Sequence, residues 1–226
     1  MQKDELTIYH GSISIIDSPE FGKGKKNNDY GRGFYCTENL ELAKEWAVDL
    51  DRDGYANKYI LDTRGLKILD LSKSATALNW ITILIQNRVF LLNNDVAKAG
   101  KKFLIDNYNI PTNDYDVIKG YRADDSYFAY AESFLNNTIS IQRLTEALRL
   151  GNLGEQIVLI SKKAFEQIRF TGYELADSKL YYPLRKERNE AARNEFLRNK
   201  QGATSKDALY LSDIMRGVSL NDPRLR

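Results

Sequence analysis

The order of β-forming and helical segments constrains this chain most. Short runs rich in Ile, Val, Tyr and Leu are scattered between amphipathic stretches, with no steady strand–helix–strand alternation. Steady alternation builds a doubly wound parallel sheet, whereas scattered short strands build an α+β domain. The composition predicts strands over Leu6–His10, Gly33–Cys36, Tyr115–Lys119 and Gln156–Ser161. It also predicts a hairpin of Tyr55–Asp62 and Leu66–Leu71 around Arg64-Gly65. A helix capped by Thr37 or Asn39 should carry Ala43, Trp46, Ala47 and Leu50 as its apolar stripe and end at Asp53-Gly54. Further helices are expected over Thr76–Leu92, Val96–Asn107, Ser126–Leu135, Ile141–Leu150, Lys163–Ile168 and Leu184–Lys200.

A length of 226 residues allows one sizeable core, or one domain with an appendage. No stretch reaches the roughly 18 uncharged apolar residues that cross a bilayer. The nearest, Leu78–Leu92, contains Asn79, Gln86, Asn87 and Arg88 and reads as a core helix. The start, Met-Gln-Lys-Asp-Glu, has no apolar run, so neither a signal peptide nor a membrane partner is expected and the cytoplasm is the expected location. Cys36 is the one cysteine and His10 the one histidine. They make neither an internal disulfide nor a Cys/His zinc site. As a nucleophile Cys36 would have only His10 as its base, so a small buried residue is the expected role.

The formal net charge is only +2 but is unevenly spread: from Arg185 to Arg226 there are ten Lys/Arg against six Asp/Glu. Such a basic helical tail either contacts nucleic acid or an acidic partner, or is a solvated helix face.

Two short segments carry the chemistry. The first is Ile8-Tyr9-His10-Gly11-Ser12; the second is Asp29-Tyr30-Gly31-Arg32-Gly33-Phe34-Tyr35-Cys36-Thr37. Together they offer a polar ring, exposed backbone and a flat aromatic surface, the materials for holding a nicotinamide ring. Gly31-Arg32-Gly33 is not a dinucleotide-binding fingerprint, because the third glycine and the later ribose-binding acid are missing at the expected spacing.

Tyr9-His10-Gly11-Ser12 followed by Gly33-Phe34-Tyr35-Cys36-Thr37 resembles the opening of the diphtheria-toxin-like ADP-ribosyltransferases, the His-Tyr-Glu branch of that superfamily. Trp46 stands at the spacing from Tyr35 of that branch's second stacking aromatic. More closely, the chain is similar to the bacterial DUF3990 family. Tyr9–Ser12, Gly31–Thr37, Ala43–Ala47, Asn87-Arg88, Tyr115–Gly120, Ala123–Asp125 and Gln156 onward fall where that family's pattern puts them, over roughly residues 6 to 170.

The resemblance implies a split antiparallel sheet with surrounding helices over residues 1–172 and a basic helical extension over 173–226. It implies NAD as co-substrate, without a metal. The activity implied is mono-ADP-ribosyl transfer: nicotinamide leaves and ADP-ribose passes to an unknown protein or nucleic-acid acceptor. A bacterial toxin, effector or defence role follows from it, with a cognate antitoxin or regulatory protein as a further partner. His10 would donate a hydrogen bond to a ribose hydroxyl, and Gly11 beside it would bring backbone against the carboxamide. Ser12, Gly33, Phe34 and Thr37 complete the implied NAD-contacting set. Tyr35 and Trp46 would sandwich the nicotinamide.

The branch usually places a glutamate at the start of a later strand, to bond the ribose 2′-hydroxyl and stabilise the oxocarbenium-like transition state. Here the family pattern puts Gln156 at that position; Glu155, one residue away and facing the opposite side of a strand, takes the ribose-contacting place instead if the register slips by one residue. A glutamine accepts the hydroxyl's hydrogen bond but offers no full charge. The alternative activity is therefore a non-catalytic module that binds NAD or ADP-ribose. Asp124 and Asp125 either cap the next helix or orient the acceptor nucleophile.

Overall fold

The computed structural model describes residues 4–122, 125–150, 155–201, 207–219 and 222–225. In chain order its elements are β1 (Glu5–Ser12), β2 (Phe34–Cys36), α1 (Leu40–Ala47), β3 (Gly54–Asp62), β4 (Ile68–Asp70), α2 (Leu71–Ser74), α3 (Ala77–Asn87), α4 (Asp95–Tyr108), β5 (Val117–Tyr121), α5 (Asp125–Leu135), α6 (Ile141–Leu150), β6 (Glu155–Leu159), α7 (Lys162–Glu166), β7 (Ile168–Ala176), α8 (Ser178–Gln201) and α9 (Leu211–Met215). The architecture is mixed α/β with two sheets, one ordered β1-β3-β7 and the other β2-β6-β5-β4.

Period-two alternation on the second sheet divides the core. Val117, Ile157, Leu159 and Cys36 point to one face and pack with Ile8, Tyr59 and Leu61 of the first sheet. Ile118 and Val158 point to the other and meet Leu78, Trp80, Phe134 and Leu144 of α3, α5 and α6. Cap residues fix the helix starts: Asn39 accepts the amide of Leu42 at α1, and Thr76 forms a reciprocal cap with Asn79 at α3.

Three expectations are corrected. The hairpin of Tyr55–Asp62 and Leu66–Leu71 does not form: both edges of β3 are taken, by β1 and β7, and β4 pairs instead with β5. The turn at Gly65 is present (φ 72°), but it passes the chain from one sheet to the other. The β4–β5 pair is parallel, so the second sheet departs from the all-antiparallel expectation. Helix α1 stops at Ala47, where Val48 turns extended, so Leu50 lies off the stripe and is 64% exposed.

Candidate functional site

Segment 16–29 and the ends of β1, β2, α1 and β6 enclose a cleft of about 640 Å³, within the roughly 300–1,000 Å³ of small-molecule sites. Among the residues the sequence singled out, His10, Gly33, Phe34, Tyr35, Trp46 and Gln156 line it. The two motif segments are joined directly, because Tyr9 and Thr37 exchange both backbone hydrogen bonds at 2.8 and 2.9 Å. Tyr35 sits opposite Val158 in the β2–β6 ladder, so Gln156, two residues along, shares its face of the sheet.

His10 is held on two sides. Its Nδ1 is 2.7 Å from the carbonyl oxygen of Tyr35, and its ring stacks on Phe34 with centroids 4.3 Å apart. A carbonyl only accepts, so Nδ1 carries the proton. Burial pushes the imidazole below its usual value, although the Tyr35 bond works the other way. In that neutral ring Nε2 is an acceptor, not the donor expected of His10.

Tyr35 donates its hydroxyl proton to the Gly31 carbonyl at 2.7 Å and accepts the Tyr30 amide at 3.0 Å. Burial drives its phenol well above the usual range. The hydroxyl is thus committed to the loop, and what Tyr35 offers the cleft is its ring. Trp46 lies under the guanidinium of Arg122, 4.6 Å from its ring centroid, so a planar cation already rests against that aromatic face.

Gln156 is buried, at 4% exposure, and its Nε2 donates to Oδ2 of Asp29 at 2.9 Å. The strand alternation separates its neighbour: Glu155 pairs at 3.0 Å with Lys119, which also pairs with Glu38. Gln156 therefore lines the cleft and Glu155 belongs to a surface ion-pair cluster.

Other expected contacts fall elsewhere. Gly11 is required by packing: a Cβ there would lie 2.1 Å from the Ala43 carbonyl oxygen, so its lack of a side chain lets α1 sit on β1. The Ser12 hydroxyl accepts the Ser14 amide, and the Thr37 hydroxyl accepts the Asn39 amide ahead of α1. Neither lines the cleft. Asp124 and the side chain of Asp125 lie outside the described residues.

Several groups that line or brace the cleft were given no role by the sequence. Asn57, fully buried on β3, donates to the carbonyls of His10 and Ser14 and accepts the Ile16 amide, which ties the start of the loop to β1. Asp29 is 5% exposed and receives Nη1 of Arg88, just past α3, at 2.8 Å. Arg122, Lys23 and Lys25 add positive charge around the opening. A lone Asp in a loop and an Arg after a helix carry no sequence signal for meeting across 59 positions.

Residues 6–170 match the model of a family described as "Protein of unknown function (DUF3990)". That span is well over half of the 226 residues, so the chain belongs to this family. No curated protein and no solved structure matches.

Proposed function

With DUF3990 membership as the starting point, we propose that the cleft binds NAD and that the chain is a mono-ADP-ribosyltransferase, releasing nicotinamide and passing ADP-ribose to a macromolecular acceptor. One observation carries this reading: His10, Tyr35, Trp46 and Gln156, from β1, β2, α1 and β6, line a single cleft. Each has chemistry suited to one part of NAD. The Tyr35 and Trp46 rings suit a cationic pyridinium. The His10 Nε2 suits a ribose hydroxyl. Lys23, Lys25 and Arg122 suit the pyrophosphate, by charge.

The test is incubation with NAD and with protein and nucleic-acid acceptors, reading nicotinamide release and the ADP-ribose mass addition. Wild type should give both and His10→Ala neither. If wild type gives neither, transferase activity is refuted.

The Gln156 amide favours a second reading, a module that binds NAD or ADP-ribose without turnover. An amide at this strand position brings no charge to the breaking bond. That reading predicts thermal stabilisation by NAD with no nicotinamide released.

A further inference from the structure

We propose that Asp29 is the catalytic carboxylate of this cleft and that Gln156 is its positioning residue, so that the acid absent from β6 is supplied by the loop that follows β1. This rests on the NAD reading above.

Two carboxylates stand in the described lining, Glu20 and Asp29. Glu20 is 61% exposed and paired with Lys23. Asp29 is buried and gripped from two elements: Gln156 Nε2 reaches Oδ2 at 2.9 Å and Arg88 Nη1 reaches Oδ1 at 2.8 Å. A carboxylate only accepts, so the Gln156 amide nitrogen must face it. The amide donor makes Asp29 an acceptor on that side, and the guanidinium sets a positive charge beside its other oxygen. A Glu at position 156 would instead set a second anion against Asp29.

The loop around Asp29 is tied down at three successive residues. The Asn87 amide nitrogen reaches the Asp29 carbonyl at 3.5 Å, the Tyr30 ring is buried beneath β5 with its hydroxyl accepting Trp80 Nε1 at 3.2 Å, and Gly31 turns with φ 75° against Asn87. Catalysis by a fixed charge needs this kind of preorganisation.

The step assigned is a heterolysis. The bond between ribose C1′ and the pyridinium nitrogen breaks and its electron pair goes to nitrogen, releasing neutral nicotinamide. Positive charge develops on C1′ and the ring oxygen. Asp29 accepts the hydrogen bond of the 2′-hydroxyl and opposes that charge. Water or an acceptor hydroxyl then forms the new bond to C1′ and loses one proton to solvent.

The experiment measures nicotinamide release over a pH series, together with the melting shift given by NAD, for wild type, Asp29→Asn and Gln156→Glu. Asp29→Asn keeps the shape and loses the charge. It should cut kcat at least ~100-fold, as loss of one transition-state electrostatic contact does, while NAD still raises the melting temperature. Gln156→Glu should also slow release at neutral pH and move the pH profile, because two adjacent carboxylates share a proton. A purely structural role for Gln156 would lower stability without moving that profile.

The proposal is overturned if Asp29→Asn retains kcat within threefold, or if Gln156→Glu is faster than wild type, as restoration of a missing acid at β6 would make it. Should Asp29→Asn fail to fold, the direction of the Gln156→Glu effect decides. Stabilisation of wild type by NAD with no nicotinamide released overturns the role of Asp29 and leaves the binding module standing. Absence of both removes the NAD reading itself.

Discussion

Arg188 grips Glu45 with two hydrogen bonds, Nε to Oε2 at 2.9 Å and Nη2 to Oε1 at 2.6 Å. The Glu45 side chain is 4% exposed and the Arg188 side chain 32%. Glu45 lies on α1 next to Trp46, so this contact clamps α8 onto the helix that supplies one wall of the cleft. Arg185 adds a bond to the Val48 carbonyl at 2.8 Å. Two arginines of the basic C-terminal stretch are thus spent on the chain's own packing.

Arg188→Ala should destabilise the protein by about 2–4 kcal/mol, since it strands a buried carboxylate. Urea unfolding measures this. A Glu45→Met/Arg188→Leu pair should recover most of the loss, because apolar replacements remove the desolvation cost on both sides.

Gly11→Ala should be among the most damaging small changes. A methyl 2.1 Å from the Ala43 carbonyl oxygen forces α1 off β1, at about 3 kcal/mol or more. Gly22 has open space around its Cβ position, so Gly22→Ala carries only the strain of its φ of 86°. A melt of both variants should show the larger fall for Gly11→Ala.

The part of the fold legible in the sequence was the part written in local pattern. The helix start at Thr76, the cap at Thr37 or Asn39 and the apolar β-forming run of β6 could be read from neighbours alone. Strand β7 could not, because an extra residue opposite Lys58/Tyr59, with Gly172 at φ 142°, breaks its period-two rhythm. The site divided the same way. His10, Tyr35, Trp46 and Gln156 stand in motifs that resemble a known pattern. Asp29 opens the second motif segment and Arg88 belongs to the Asn87-Arg88 match, but their pairing across 59 positions, like the reach of Asn57 to His10, Ser14 and Ile16 across 41 or more, is something no local rule encodes.

Acid should weaken the fold through His10. Burial lowers its folded pKa below the ordinary 6.5, so the unfolded chain binds more protons as pH falls through 6.5 and stability falls with it. Above 6.5 the penalty is absent. Asp62 and Asp222, held at about 2 by Arg64 and Arg224, act in a separate window: their contribution is lost only as pH drops below 3.8. The slope of stability against pH just under 6.5 should flatten in His10→Gln, as chemical unfolding at stepped pH would reveal. An unchanged slope would contradict the assignment.

Cys36 should be inert in the folded protein. It is fully buried between the sheets, and desolvation drives its thiol well above the ordinary value. A thiol-reactive dye should label it only after unfolding, at a rate that follows denaturant concentration. Prompt labelling of the native protein would refute this.

Trp46→Ala should weaken NAD binding roughly tenfold, the equivalent of about 1–2 kcal/mol for one desolvated aromatic face against a cation. Titration calorimetry reads the difference, and Trp46→Phe should retain part of the affinity. Since Arg122 rests on the same ring, Arg122→Ala separates competition from attraction: tighter binding would mark Arg122 as a competitor for the face, weaker binding as a contact to the ligand.

Strand β2 has one ladder partner among the described strands, β6, which is not complete until Leu159; before that it is held by the Tyr9–Thr37 bridge and by the local contacts of His10 with Phe34 and Tyr35. Tyr35 and His10 are made early on the ribosome, yet the sheet that aims Tyr35 and the glutamine that meets Asp29 come more than 120 residues later. Such long closures are slow. A nascent chain that stops short of β6 therefore carries both motifs but no site, which ties the birth of the cleft to synthesis of the whole domain.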